Sequence, residues 1–500
     1  MTDHFISRQE AESDLLSCAT FLGESIETAD GHAESMLAVV PRYLAKGNVD
    51  LAAELANTVD DPFSRDKLLI AVSIKCAEID DDEYALQLID ALDDHGLQAE
   101  GWERLGALKA AMGQFDAARK IAGEMEHPDY VLSAIAIRQF ADDDPDGAKS
   151  TIREIEFPAA RVSAFIHTAH ARIALGETEG IEDLLEPAIA DAAEIEHDEE
   201  KIRAVIEIGT LFSDAGQNGR AIETFDKARE YSEELDNIHR DAFFAAVSVG
   251  FLRAGSQDLA DRTLDLVTDK TQIASCLLGH ARLYWSNDAK DDAMESLEEA
   301  YAMLRSQREN ETRSSKDRFR LFGSIATQYV LFGKGERAIE IAEQIEDDNE
   351  SMTALAQVAA LLADSGSDEL ARRAVNAIPE DANRTFALIG MSDAKAGTEQ
   401  KEAAVELLDE AMHLAETVPQ LSSRASAYNE IAARFAKLED DARLETAIHG
   451  SFESIAALRD DSIKAASLAE LSAIADELEV APGENEIAYL RKFVADVSKN

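Results

Sequence analysis

The chain has 500 residues, 46% hydrophobic and 30% charged, with only 25 Gly, 9 Pro and two Trp, and a formal net charge of −52 from 100 acidic against 48 basic residues. So few turn residues exclude a β-rich chain of this length. The charge repels nucleic-acid phosphates and anionic membranes at long range, so neither is an expected partner.

The amino terminus, MTDHFISRQEAESDLL, has no basic region followed by an apolar one. No stretch approaches the roughly 18 consecutive apolar residues of a membrane span. Cys18, Cys76 and Cys276 are odd in number and far apart, so no disulfide framework or CxxC zinc site is expected. These features lead to the expectation of a cytoplasmic protein without membrane insertion. The acidic residues are spread along the whole chain. They read either as a heavily solvated, salt-adapted surface or as a surface that attracts a basic partner.

In chain order, residues 8–29 can form one amphipathic helix, placed here as an N-terminal cap within residues 1–32. From residue 33 one phrase recurs: an apolar helix, a small polar turn, then an Ala-rich helix. The copies starting at Trp102 (WERLGALKAAMGQFDAARKIAGEM), Val205 (VIEIGTLFSDAGQNGRAIETFDKA) and Phe322 (FGSIATQYVLFGKGERAIEIAEQI) align without gaps. Gly106, Gly209 and Ala326 fall together, as do the turn residues Gly113, Gly216 and Gly333, and then Ala118, Ala221 and Ala338. That last small residue recurs at Ala52, Ala85, Ala118, Ala148, Ile181, Ala221, Ala260, Ala293, Ala338, Ala371, Ala404 and Leu444, with a basic step of about 33 residues. Longer steps fall at Glu194–Lys201, Asp236–Arg240, Arg305–Asp317 and Glu416–Ser422. A small residue where two helices cross lets their backbones approach, and one such hairpin cannot bury its apolar stripe without neighbours. The carboxyl end predicts helices at Asp461–Leu478 and Glu484–Val497, separated by the breaker Ala481-Pro482-Gly483.

The opening Trp102, Leu105 and Gly106, with Ala118 and Pro128, resembles the tetratricopeptide (TPR) signature. Gly209, Phe212, Gly216, Ala221, Phe225 and Ala228 match it further downstream. The resemblance runs from about Ala33 to Leu458, and a step well under 40 residues disfavours HEAT-type units. It implies an all-α, right-handed superhelical solenoid of about 12 helix-turn-helix repeats with terminal capping helices. The expected organisation is an N-terminal cap (1–32), a repeat array (33–458, with sub-arrays 33–304 and 318–458 around a longer connection) and C-terminal caps (459–500).

No catalytic motif emerges: GxSxG, GxxxxGK[ST] and a Gly-rich dinucleotide loop are all lacking. His167 and His170 lack HExxH spacing. Asp142, Asp144, Asp146 and Gly147 open like an EF-hand loop, but Arg153 stands where the bidentate acid belongs, so the segment reads as an acidic turn and helix cap. No enzyme activity, metal or cofactor is expected.

In the family it resembles, the first helix of each repeat faces the concave groove. Carried onto this chain, that offset lines the groove with Leu37, Ile70, Ile74 and Ala107 early, and with Ala356, Ala360, Asn429 and Ala433 late. The central lining is basic and aromatic: His170, Arg203, Arg253, Arg282, Trp285 and Arg320. Guanidinium groups pair bidentately with carboxylates, so these six are the candidate ligand groove, unless the arginines serve only to neutralise neighbouring acids. The Lys/Asn carboxylate clamp of chaperone-binding members is not reproduced. The expected function is a non-catalytic scaffold that binds a protein or peptide in the groove. The alternatives are a structural subunit of a larger assembly and an acidic protein that sequesters a basic partner. The oligomeric state is left open.

Overall fold

The computed structural model describes residues 4–307 and 314–497; residues 308–313 of the connection expected between Arg305 and Asp317 lie outside the described residues. The described residues form 28 α-helices and no strand. They fall into two compact units, one holding the chain up to Gly101 and again from Gly333, the other running from Trp102 to Phe332. These cuts differ from the expected division after residue 304.

The first unit begins with α1 (Arg8–Ala11), α2 (Leu15–Glu24), α3 (Ala29–Ala45), α4 (Val49–Asn57), α5 (Pro62–Glu78) and α6 (Asp82–Asp90). Helix α7 (His95–Ala111) contains the cut. The second unit holds α8 (Phe115–Glu124), α9 (Asp129–Ala141), α10 (Pro145–Ile152), α11 (Pro158–Ala174), α12 (Glu182–Ala193), α13 (Asp198–Asp214), α14 (Asn218–Glu234), α15 (Arg240–Arg253), α16 (Gln257–Leu264), α17 (Lys270–Ser286), α18 (Lys290–Ser306) and α19 (Ser315–Leu331). The first unit resumes with α20 (Gly335–Glu343), α21 (Asp348–Asp364), α22 (Asp368–Asn376), α23 (Asp381–Gly397), α24 (Lys401–Ala415), α25 (Leu421–Lys437), α26 (Asp441–Ala457), α27 (Asp461–Glu477) and α28 (Glu484–Val497).

From α3 to α27, first helices and second helices alternate, and one local device joins them. Each first helix ends in a residue with positive φ. It is glycine at Gly47, Gly113, Gly176, Gly216, Gly255, Gly333 and Gly366, and an acidic residue at Asp80, Asp143, Asp288, Glu399, Glu439 and Glu479. Around Gly216 the N–H of Gln217 donates to the Phe212 carbonyl at 2.8 Å, closing a Schellman motif. Gln217 is then the N-cap of α14. Four residues beyond such caps stands the small residue of the crossing. Ala52, Ala118, Ala221, Ala293 and Ala404 are all 0% exposed. Ile181 also reaches 0%, but α12 starts only at Glu182, after an extra turn.

Within the second unit, the first helices α9, α11, α13, α15, α17 and α19 pack side by side in order. Phe212, Phe225 and Phe251 are completely buried between them and the second helices. Each such ring contributes about 1.5–3 kcal/mol of burial. In the first unit the same layer runs α21, α23, α25, α27, α3 and α5.

Three buried aspartates were not singled out from the sequence. Asp66, Asp129 and Asp241 stand at the start of first helices and accept backbone N–H groups from the following loop. Asp66 takes Asp93 and Asp94 at 2.9 Å. Asp129 takes Glu156 at 3.0 Å and Phe157 at 2.9 Å. Asp241 takes Thr268 at 2.9 Å and Asp269 at 2.7 Å. Each carboxylate thereby ties one hairpin to the next and satisfies loop donors that packing removes from water.

The stretch expected as one helix over 8–29 is broken. Asp14 caps α2 by accepting from the Ser17 N–H at 2.7 Å, and α3 starts afresh at Ala29. The terminal helices expected as caps cover one another: α2 packs on α27, α28 and α3.

Candidate functional site

A first helix buries two sides, one against its own second helix and one against neighbouring first helices, and leaves a single stripe open. That stripe repeats at 13, 9, 6 and 2 residues before the positive-φ turn, because such spacings return to the same helical face. All the charged and histidine candidates lie on it, in the second unit, and all are exposed. His170 is on α11, Arg203 on α13, Arg253 on α15, Arg282 on α17 and Arg320 on α19. Trp285, half-buried, sits one turn after Arg282.

These side chains share a face without converging on one point. Arg203 and Arg320 stand near the starts of their helices, whereas Arg253 is at the end of its own, eleven residues further along. At 1.5 Å per residue that is a difference in level of about 16 Å. Arg282 and Trp285 stand one turn apart on the same helix, α17.

Most of these side chains are already engaged. His170 Nε2 lies 3.5 Å from Glu207 on α13, Arg203 lies 3.6 Å from Glu199 on its own helix, and Arg253 Nη1 donates to Asp214 at 2.6 Å. Exposed pairs of this kind contribute about 0–1 kcal/mol, so a better-placed ligand carboxylate can displace them. Arg282 differs. Its Nε donates to the neutral Gln328 Oε1 on α19 at 2.9 Å, and among the described residues no carboxylate lies within ion-pair distance. Beside it Trp285 stacks on the buried Phe332 with ring centroids 4.1 Å apart and planes at 16°, and Lys290 Nζ stands 5.6 Å from the indole. The stack fixes the indole, and its wet edge adjoins an uncompensated guanidinium.

Two residues placed on the groove are elsewhere. Ile70 is 1% exposed and belongs to the core. Asn429 is 0% exposed and accepts from Ser451 Oγ at 2.6 Å. Both lie one residue off the open stripe, on the side turned into the packing. Leu37 is exposed, and Ile74, Ala107, Ala356, Ala360 and Ala433 are half-buried.

The acidic segment at Asp142–Gly147 is a turn and a cap. Asp143 has φ 62°, and Asp144 accepts from the Gly147 N–H at 3.0 Å to start α10. Among the described residues no group of three or more His, Cys, Asp or Glu is placed to hold a metal ion. Also among them, no helix is long and apolar enough to cross a membrane.

One buried polar cluster was not anticipated. Ser248 Oγ bonds the Ala260 carbonyl at 2.8 Å and lies 3.1 Å from His280 Nε2, which is 3.5 Å from Cys276 Sγ. Burial pushes the Cys276 thiol up to about 11 and holds the His280 imidazole below its ordinary value. Both are therefore neutral at pH 7, and the cluster satisfies polar groups at the crossing of α15, α16 and α17.

No family model matches the sequence, and no curated protein is significantly similar to it. Solved structures that are similar include Ton1535 from Thermococcus onnurineus NA1, at 16% identity over 71% of this chain and 99% of that one, with a TM-score of 0.25. The kinesin light chain TPR-like repeats of Podosopora anserina give 17% identity, 52% and 96% coverage, and a TM-score of 0.24. The apo form of RapI gives 13%, 69% and 96%, and 0.30. At such identities and scores neither site nor partner transfers to this chain.

Proposed function

We propose that the protein is a non-catalytic scaffold that binds a protein or peptide partner on the open first-helix face of its second unit, anchored at Arg282 and Trp285. The observation that carries this reading is Arg282 itself. In a chain of net charge −52, an exposed guanidinium that among the described residues is held by a neutral amide and no carboxylate gains most from an incoming carboxylate. A charge-assisted bond of that kind is worth about 1.5–3 kcal/mol. The stacked Trp285 offers a preordered apolar contact beside it, the kind of aromatic and arginine pairing that concentrates binding energy. His170, Arg203 and Arg253, whose present partners are weakly held, extend the same face as secondary contacts, and Arg320 continues it.

A screen of short peptides with free or amidated carboxyl termini tests this reading. Binders should require a free terminal or side-chain carboxylate with an apolar residue next to it. A screen returning only basic peptides would overturn the reading. It would favour the second one, a basic partner held on the acidic surface, which the net charge supports. A subunit that polymerises end to end is the weaker alternative, because α2 already packs on α27 and α28.

A further inference from the structure

Helix α27 ends as the other first helices do. Glu479 has φ 54°, and the Val480 N–H donates to the Ala475 carbonyl at 2.9 Å. A second helix should follow at once, with a small residue five positions after the turn. That position is Glu484, the exposed first residue of α28, and Pro482 and Gly483 have already turned the chain away. The helix that packs on α27 in its place is α2, from the opposite end of the chain.

Helix α2 has the register of a second helix. Its cap is Asp14, and four residues later stands Cys18, small and 0% exposed, as Ala52 stands four after Asn48 and Ala118 four after Gln114. Seven and eight residues after the cap come Phe21 and Leu22, both buried, where α14 places Thr224 and Phe225. Eight of the ten residues of α2 are buried. Side-chain bonds join the neighbouring α3 to α27: Ser462 Oγ donates to Glu34 at 2.7 Å, and Lys46 Nζ lies 2.9 Å from Asp476.

We infer that the two ends of the chain form one split hairpin, in which the N-terminal segment is a detachable clasp seated on α27 and α28, and that this seat accepts a helix with the register of α2. In an interior hairpin a short turn tethers the second helix directly to its first. The clasp is tethered to α27 only through the residues 25–28 link and the packing of α3. Opening it releases one ten-residue helix and leaves the two-helix units paired, so it is expected to open at lower cost than an interior hairpin. The occupant is the chain's own segment, held at high effective concentration.

The test uses the full-length chain. Leu16→Asp with Leu22→Asp places charges at two positions that are each 1% exposed, which should expel α2. A labelled peptide covering residues 4–25 should then bind this variant at least ten-fold more tightly than it binds wild type, whose seat is filled. Equal affinity for the two proteins, or no binding to a variant that keeps its helical circular dichroism, would overturn the inference. Should the variant fail to fold, native-state thiol labelling of wild type decides. Cys18 should be modified at least ten-fold faster than Cys76 and Cys276, which are buried in interior hairpins. Cys18 reacting no faster than those two would show that the clasp does not open separately.

Discussion

The ring of Phe225 lies between two glycines, Gly209 on α13 and Gly250 on α15, on successive first helices. A Cβ added at Gly209 would stand 2.7 Å from the ring, and one at Gly250 would meet it closer still. Because the ring is fully buried it cannot move aside without displacing a helix. Gly250→Ala should therefore overpack the site and cost about 1–3 kcal/mol, read as a lowered melting temperature. A melt matching wild type would mean that the crossing is looser than described. Only half of this arrangement was legible in the sequence. Gly209 and Phe225 stood out in the aligned repeats, but Gly250 is not a repeat position, and its role exists only once α14 is inserted between two first helices.

Asp241 supplies a titration at the same scale. Burial alone would raise its carboxyl, but hydrogen bonds from the Thr268 hydroxyl and the Thr268 and Asp269 N–H groups, helped by Arg240, hold it below the ordinary value. A depressed carboxyl contributes stability that is fully present above its unfolded value of about 3.9 and is lost as pH falls through the folded value. Melts of wild type and Asp241→Asn between pH 7 and pH 3 should show the wild-type advantage shrinking on the acid side. An advantage that grows with acidification would contradict the assignment.

At the scale of helices and turns, the alternation of long first helices with second helices follows from the small-residue ladder, and the sequence showed it almost completely. The turns were less legible. Glycine marks seven of them, but six are made by Asp or Glu in the left-handed region, which no composition rule announces. A non-glycine residue there costs about 1–3 kcal/mol, and an acidic one also meets the negative end of the helix dipole. Glu439→Gly should therefore raise the melting temperature by a few degrees despite glycine's greater unfolded entropy. A drop would show that the Glu439 side chain contributes more than it strains. The clasp was least legible of all. Nothing in a linear reading says that Cys18 and Glu479 belong to one hairpin, because their pairing is decided by packing between elements at opposite ends of the chain. The candidate face was legible in its composition. Its levels and its existing ion pairs, which single out Arg282, were not.

At the scale of the whole molecule, net charge dominates. With 100 acidic and 48 basic residues, pairs such as Arg253–Asp214 cannot neutralise the surface, and mutual repulsion opposes folding. The Debye length falls from about 30 Å at 0.01 M salt to about 3 Å at 1 M. The melting temperature at neutral pH should therefore rise with sodium chloride. A flat or falling trend would mean that attractive pairs already balance the surface. The same screening gives binding a signature. An acidic peptide is repelled by the molecule at large and attracted at Arg282, so moderate salt should leave its affinity unchanged or improve it, whereas a basic ligand would lose affinity steeply. The decisive measurement is a titration of a carboxylate-bearing peptide from the screen against wild type and Arg282→Ala at low and moderate salt. Loss of at least ten-fold in affinity for the variant, with wild-type binding maintained as salt rises, is the expected result. Equal affinity for the two proteins, or wild-type binding that collapses with salt, would contradict the proposed site.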